Sequence, residues 1–252
     1  MPRLADDVAV ITGGGAGIGR AIAQLFAAEG ARVAVADVDV EAAATVAKSI
    51  RETGGQARAL PLDVRDAVSV TAVFEEVERL LGPVSVLVNN AGGSRDDDGP
   101  IHALTEEAID ATIGLDLRGT LLCCRAALGQ MRRAGRGSVI NLASYHALGG
   151  DSPAHAYSAA KGGVIATTRS MAARYAADGI RVNAIAPGIV LTERVTARIE
   201  RDRTDLTEIR THHPHAVGSP DDVARIALFL ASPDSRLITG STLAADGGLS
   251  LY

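Results

Sequence analysis

The sequence is poor in aromatic residues, in cysteine and in long apolar runs. Only 3% of its 252 residues are aromatic, none is tryptophan, and the two cysteines, Cys123 and Cys124, are neighbours. Their apolar surroundings, LLCCRAAL, favour two small core residues over a disulfide. No apolar run approaches the roughly 18 to 20 residues that a membrane-spanning helix requires, and no signal-peptide pattern precedes the first strand-like run. These absences argue against a disulfide-stabilised secreted scaffold and a membrane span, and they predict a cytoplasmic location.

The sequence also lacks an excess of basic charge. It has 30 acidic and 25 basic residues, which gives a formal net charge of -5. Without a basic stripe there is no electrostatic basis for binding nucleic acid or an anionic membrane surface. The hydrophobic share of 47% and charged share of 22% are typical of a globular protein. The expected partner is therefore a small molecule.

Strand-like and helix-like segments alternate along the whole chain. Short apolar runs such as VAVIT (8–12) and RVAVAD (32–37) predict buried strands, and helical patterns, including a long one over 106–133, lie between such runs. Strands that are apolar on both faces and separated by helices indicate a parallel sheet covered on both sides. We predict a single doubly wound α/β domain over residues 1–252, with about seven parallel strands. The charged segment 193–217 has no obvious strand and is predicted to form a flap over the substrate.

A glycine-rich turn, TGGGAGIG (12–19), joins the first predicted strand to the first predicted helix. Gly13, Gly17 and Gly19 follow a G-x-x-x-G-x-G spacing, with Ile18 between the last two. Glycines at this point allow the backbone to approach a pyrophosphate at a helix N-terminus. Such turns also join strands to helices without any ligand, but the placement favours a dinucleotide site.

Asp37 ends the second predicted strand, 18 residues after Gly19. A carboxylate there can bind the ribose hydroxyls of an adenosine and would repel a 2′-phosphate, which favours NAD over NADP. The alternative is a loop acid or helix cap.

Tyr157 and Lys161 stand four residues apart in YSAAK. In a helix they share one face, one turn apart. Taken alone, this pattern favours an amphipathic helix with a half-exposed tyrosine and a surface lysine.

Several motifs in a fixed order resemble the short-chain dehydrogenase/reductase family in its single-domain form. They are TGGGAGIG, LDV (62–64), NNAG (89–92), Ser144 thirteen residues before Tyr157, YSAAK, PG (187–188) with Thr192 beyond it, TG (239–240) and DGG (246–248). The resemblance covers essentially the whole chain. It implies a Rossmann-type fold and a nicotinamide-dependent oxidoreductase, for which Asp37 favours NAD.

The resemblance also implies a role for each catalytic residue. Tyr157 would exchange a proton with an alcohol or carbonyl, with Lys161 stabilising its phenolate and binding the nicotinamide ribose. Ser144 would donate a hydrogen bond to the substrate oxygen. No metal is implied, and His212, His213 and His215 are interpreted as solvated. Further cofactor contacts are implied at Asp63, Val64, Asn90, Ala91, Gly92, Pro187, Gly188 and Thr192.

One residue departs from the family pattern. Asp116, in LDLRGT, stands where the family usually has an asparagine whose main-chain carbonyl holds a water that connects to the lysine. An ionised carboxylate near Lys161 would oppose its positive field. The alternative is a side chain that points away and touches no catalytic group.

The substrate is less clearly indicated. Ser94, His146 and His155 are candidate substrate contacts, whereas Arg95 is interpreted as a solvated loop residue. The flap carries five arginines and five acids, so it makes no case for an anionic substrate, and it contains no aromatic residue. We expect a small polar secondary alcohol or ketone, such as a polyol or sugar derivative.

The sequence leaves two alternative functions open. One is a 3-oxoacyl-thioester reductase, which Asp37 disfavours because such enzymes usually use NADPH. The other is a catalytically idle dinucleotide-binding protein, which Asp116 keeps open.

The resemblance also implies a homotetramer. Relatives pack the helices equivalent to 106–133 and 156–178 against other subunits. These helices carry apolar residues over much of their surface, and one domain is expected to offer too little area to bury them all. Examples are Leu121, Leu122, Val164, Ile165 and Met171.

Overall fold

Seven parallel strands form one sheet in the order β3-β2-β1-β4-β5-β6-β7. The computed structural model describes residues 2–150, 152–211 and 215–251. The strands are β1 (Val8–Thr12), β2 (Arg32–Asp37), β3 (Gln56–Pro61), β4 (Val86–Asn89), β5 (Gly137–Leu142), β6 (Ile180–Pro187) and β7 (Thr242–Ala245). The predicted doubly wound α/β fold is confirmed. The strand order reverses between β1 and β4, and parallel sheets bind ligands at the carboxyl ends of the strands beside such a reversal.

Helices cover both faces of the sheet. They are α1 (Gly17–Ala28), α2 (Val40–Glu52), α3 (Ala67–Leu81), α4 (Glu106–Ile113), α5 (Gly119–Ala134), α6 (His155–Tyr175), α7 (Glu193–Asp202), α8 (Leu206–Thr211) and α9 (Pro220–Ala231). No helix in the described part of the chain is long and apolar enough to cross a membrane.

The core has two main parts, one on each side of the sheet. On one side Phe26 of α1 and Leu228 of α9 are fully or almost fully buried, and on the other Phe74 of α3 and Met131 of α5. β1 and β4 lie between them and are buried along their whole length. This explains why their sequences are continuous apolar runs rather than alternating ones.

The two cysteines are part of this core. Cys123 and Cys124 are both free and buried, as the sequence predicts, and burial raises the pKa of each thiol. They act as small apolar residues of α5.

The continuous helix predicted over 106–133 is interrupted. α4 ends at Ile113, and residues Gly114–Arg118 form a π-helical segment before α5 begins. The amide of Gly119 donates to the carbonyl of Gly114, five residues back instead of four. The extra residue of a π turn shifts the apolar pattern of α5 by about 100° relative to that of α4, and the prediction of one continuous helix did not include this shift. Such turns often occur at functional sites.

The apolar residues of α5 and α6 mostly pack within the chain. Val164 and Ile165 are 0% and 6% exposed, and Leu122 and Met171 pack against the core while being partly buried. The expectation that one domain cannot bury them is therefore wrong for Val164 and Ile165. Leu121 does remain exposed, at 39%.

Candidate active site

A cavity of about 740 Å³ lies at the carboxyl edge of the sheet. It extends from the glycine turn at the start of α1 to α6, and α7 forms another part of its wall. The predicted site residues that line it are Gly13, Gly17, Ile18, Asn90, Ala91, Gly92, Ser94, Ser144, His146, Tyr157, Lys161, Pro187, Gly188 and Thr192. The predicted site residues outside its lining are Gly19, Asp37, Asp63, Val64, Asp116 and His155.

The glycine turn is held in place by the end of β4. The side-chain amide of Asn90 donates to the carbonyls of Thr12 and Gly13, each at 3.0 Å, and the Thr12 hydroxyl accepts from the backbone amides of Asn90 and Ala91. A side chain at Gly19 would collide with the carbonyl oxygen of Gly13. These hydrogen bonds therefore hold the turn in place. Gly19 does not line the cavity, and glycine is required there because the backbone of Gly13 comes so close.

Asp37 is attached to the same turn. Its Oδ2 accepts a hydrogen bond from the amide of Gly15 at 2.9 Å, and its Oδ1 accepts from the amide of Asp39 at 3.0 Å. The N-cap of α2 is Asp39, whose side chain accepts from Ala42. Asp37 is thus a carboxylate beside the glycine turn and not the helix cap of the alternative interpretation.

Asp63 and Val64 lie outside the cavity lining. Arg65 forms an ion pair with Asp63 at 2.8 Å, and its hydrogen bonds lower the pKa of that carboxyl. Val64 is buried, and a side chain at Gly119 would come within 2.7 Å of it. The first residue of α5 is therefore packed directly on Val64.

Lys161 is buried and ion-paired with Asp116. Its Nζ lies 3.0 Å from Oδ1 of Asp116 and donates to the carbonyl of Leu142 at 2.9 Å. Burial alone would lower the pKa of Lys161, but the charges of Asp116 and Tyr157 outweigh it and raise that pKa above its ordinary value. The side chain of Asp116 consequently points at the lysine and not away from it, and its own main-chain carbonyl accepts from the hydroxyl of Thr120 at 3.0 Å.

Two glycines after β4 make room for this ion pair. A side chain at Gly92, which has φ +147°, would collide with Oδ1 of Asp116. The amide of Gly93 donates to the same oxygen at 2.9 Å. The residues from Asn90 to Gly93 thus support both the Lys161–Asp116 pair and the glycine turn.

Tyr157 and Ser144 stand beside Lys161 in the cavity wall. The ammonium of Lys161 lies 5.5 Å from the centre of the Tyr157 ring, and the ring of His146 meets Tyr157 edge-on at 6.0 Å. Ser144 is 5% exposed, and its hydroxyl accepts from the amide of His146 at 3.3 Å. The three family residues therefore share one end of the cavity.

Sequence reasoning missed Asp98, which holds the start of α6. Its carboxylate accepts from the amides of Ala156 and Tyr157 at 3.1 and 2.7 Å, while the N-cap residue Ala154 offers no side-chain cap. An acid at a helix N-terminus satisfies free amides and complements the helix dipole. Because Asp98 is 58 residues away from Ala156, the only local signal is a helix start without a capping side chain.

Of the candidate substrate residues, Ser94 and His146 line the cavity and His155 does not. Ser94 lines the cavity and accepts from Arg198 of α7 at 3.2 Å. His155 is exposed outside the cavity lining, and its Nδ1 accepts from the amide of Ile101. Arg95 is exposed and pairs with Asp97.

Helix α7, at the start of the segment predicted to form a flap, packs against the loop after β4 through charged contacts. Asp96 lies 2.8 Å from Arg201 and 3.7 Å from Arg198, and Glu193 pairs with Arg20 at the start of α1. Sequence reasoning also missed Arg194, whose guanidinium reaches over Gly93.

No metal site is present among residues 2–150, 152–211 and 215–251, because no three His, Cys, Asp or Glu side chains converge there. His212 and His213 lie outside the described residues, and His215 is exposed.

Known proteins of similar sequence and structure match nearly the whole chain. A family model described as enoyl-(acyl carrier protein) reductase matches residues 13–250. A cis-4-hydroxycyclohexanecarboxylate dehydrogenase of Sinomonas cyclohexanicum is 40% identical over 97% of this chain and 96% of its own. A galactitol 2-dehydrogenase of Agrobacterium fabrum is 37% identical over 98% of both chains.

A solved structure from Burkholderia xenovorans, assigned to the short-chain dehydrogenases/reductases, is also similar. It has a TM-score of 0.94 at 34% identity and covers 100% of this chain and 99% of its own. With the sheet order, the glycine turn and the serine, tyrosine and lysine at one cavity end, these matches identify the chain as a member of the short-chain dehydrogenase/reductase family of oxidoreductases.

Proposed function

We propose that this protein interconverts a secondary alcohol and a ketone with NAD(H) as cofactor, on a small polar, polyol- or sugar-like substrate. The observation that carries the proposal is the shared position of Ser144, Tyr157 and Lys161 at one end of a cavity that continues to the glycine turn. The names of two relatives support it, because one refers to a polyol, galactitol, and the other to a hydroxylated ring acid.

The residues of the cavity fit a nicotinamide dinucleotide, the cofactor that the family generally uses. Ala16 provides no side-chain cap for α1, and Ala16, Gly17 and Ile18 line the cavity, so the start of this helix faces the space in which a pyrophosphate would lie. The volume of about 740 Å³ lies within the usual range for cofactor sites. When bound, the nicotinamide supplies the hydride donor or acceptor.

The protein's own residues manage the proton and the substrate oxygen. Tyr157 transfers the proton to or from that oxygen, and the positive charge of Lys161 favours the phenolate that results. Ser144 donates a hydrogen bond to the same oxygen and stabilises its developing negative charge. Asp116 keeps Lys161 charged and in place, and it also weakens the positive field at Tyr157.

The first test is a screen for NAD reduction over secondary alcohols, polyols and hydroxyacyl thioesters. We expect wild-type protein to oxidise a polar alcohol, and Tyr157→Phe to lose about 100-fold or more in kcat while still binding NADH, because phenylalanine keeps the ring but cannot transfer a proton. Tyr175→Phe, later in the same helix, is the matched control. Normal turnover by Tyr157→Phe would show that the mechanism is wrong.

The second test concerns the cofactor. Because a carboxylate beside the ribose repels a 2′-phosphate, we expect kcat/KM to favour NAD over NADP by about 100-fold. Asp37→Ala should narrow this ratio at least about tenfold, whereas Asp39→Asn, which keeps a capping side chain on α2, should not change it. Equal kcat/KM values for the two cofactors in the wild type would refute the preference.

The third test concerns Asp116. Asp116→Asn removes the negative charge next to Lys161, so the positive field at Tyr157 increases and the phenolate forms more readily. We expect the rising limb of kcat against pH for alcohol oxidation to move toward lower pH, with activity retained. Asp110→Asn, an exposed acid of α4, is the control and should leave the curve in place. Superimposable curves for Asp116→Asn and wild type would mean that this carboxylate is electrostatically irrelevant, and a shift to higher pH would mean that the sign is wrong.

The fourth test concerns assembly. We propose a homotetramer, supported by the exposed Leu121 on α5 and by Ala159, Ala166 and Ala173, which repeat every seven residues on the exposed side of α6. Small residues at this spacing let two helices approach closely. Light scattering at micromolar concentration should give the mass of four chains, and the mass of a single chain would contradict the proposal.

A further inference from the structure

Five charged side chains among the described residues line the cavity, and four of them have partners of opposite charge. Lys161 is paired with Asp116, and Glu193 with Arg20. The remaining two paired side chains are Arg198, 3.7 Å from both Asp96 and Asp202, and Asp202, which is also 2.9 Å from Arg201.

Arg194 is the fifth. Within the described part of the chain, its guanidinium makes no hydrogen bond and no ion pair. Among the described residues that line the cavity, Arg194 therefore carries a positive charge that no described side chain neutralises.

The guanidinium of Arg194 lies at the catalytic end of the cavity. A side chain at Gly93 would collide with both of its terminal nitrogens, and Gly93 is the residue whose amide binds Asp116. The charge of Arg194 also acts on Lys161, where it lowers the pKa and so opposes the effect of Asp116. At the glycine turn, by contrast, the neighbour of Gly17 is Thr192 at 3.1 Å.

This position suits the recognition of an anion. A guanidinium presents several N–H donors in a planar fork that matches a carboxylate, sulfonate or phosphate, and such charge-assisted hydrogen bonds are stronger than neutral ones. An anion here would also relieve the repulsion between Arg194 and Lys161. The pyrophosphate of a dinucleotide is a second source of negative charge, but its expected place is the glycine turn at the other end of the cavity.

We propose that Arg194 binds an anionic group of the substrate while the hydroxyl or carbonyl of the same molecule lies at Tyr157. This inference rests on the proposed function and narrows its substrate to a hydroxylated or keto acid. The anionic group is bound and is not transformed in the reaction.

The test compares acids with neutral amides of the same skeleton. Reduction of 4-oxopentanoate, 5-oxohexanoate and 6-oxoheptanoate by NADH is measured against reduction of the corresponding primary amides, so that the distance between the carbonyl and the anion varies. Calorimetric binding of each compound to the enzyme–NAD⁺ complex gives an affinity that does not depend on turnover. The variants are Arg194→Gln, Arg194→Lys and the control Arg203→Gln, which removes a positive charge just after α7 but outside the cavity lining.

We expect wild type and Arg203→Gln to prefer the acid at one or more chain lengths by about 10- to 100-fold in affinity and in kcat/KM. Arg194→Gln should abolish this preference and Arg194→Lys should retain part of it. The Kd of NADH, measured by fluorescence titration, should stay within about twofold in all variants.

Three results would overturn the proposal. They are wild-type protein that binds acids no better than amides, an Arg194→Gln variant that keeps the preference, and an Arg194→Gln variant whose NADH affinity falls as much as its acid affinity. The last result would assign Arg194 to the cofactor. A different result would separate the two proposals: acids bind and this binding depends on Arg194, but neither the acids nor the alcohols of the first screen react. The anion site would then be supported, and the proposed function would be wrong.

Discussion

Lys161 is an ammonium group inside the protein, and the elements around it supply the partners that such a group requires. Its side chain is 4% exposed and that of Asp116 is fully buried. Burying a charge is costly unless the charge is paired and hydrogen-bonded, and here a carboxylate and a main-chain carbonyl meet the ammonium at 3.0 and 2.9 Å. These groups come from α6, from the π-helical segment and from the end of β5. The contacts of Lys161 therefore connect α6 and the π-helical segment to the edge of the sheet where the cavity lies.

The same ion pair restricts the residues around it. Oδ1 of Asp116 occupies the space that a side chain at Gly92 would need, and it also accepts from Gly93, so the loop after β4 must approach as bare backbone. Oδ2 of Asp116 is buried and has no hydrogen-bond partner within the described residues, which adds to the cost of the site. Removing one member of a buried pair costs about 3 to 5 kcal/mol because the other charge remains. Truncating Lys161 would thus disturb stability and chemistry together, whereas asparagine at 116 keeps the shape and an acceptor.

Short-range patterns in the sequence were sufficient for the parallel sheet and for part of the cavity lining. β1 and β2 have the predicted bounds, because buried strands are apolar runs that end at turn residues. The family motifs identified Ser144, Tyr157 and Lys161 because their spacing is local or nearly so. The contact of Asp98 with Tyr157, 59 residues away, has no such signal, since it depends on how the loop after β4 folds back on α6. The π-helical segment was also not predicted, because the sequence was interpreted as one continuous helix and the phase shift that one extra residue causes between α4 and α5 was not considered.

For the predicted flap segment, the number of charged residues and the way in which they are paired lead to different conclusions about an anionic ligand. Its sequence contains equal numbers of arginines and acids, and a count of this kind suggests no net preference for an anion. In the structure, Arg198 and Arg201 are paired with Asp96 and Asp202, so these charges largely cancel one another locally. In the part of the chain that the structure describes, Arg194 faces the cavity without a counter-ion. Lys161 and Arg194 consequently have different roles. The charge of Lys161 is buried against Asp116 and acts on Tyr157 at a fixed distance. Arg194 is exposed on α7 and is available to a molecule that enters from solvent.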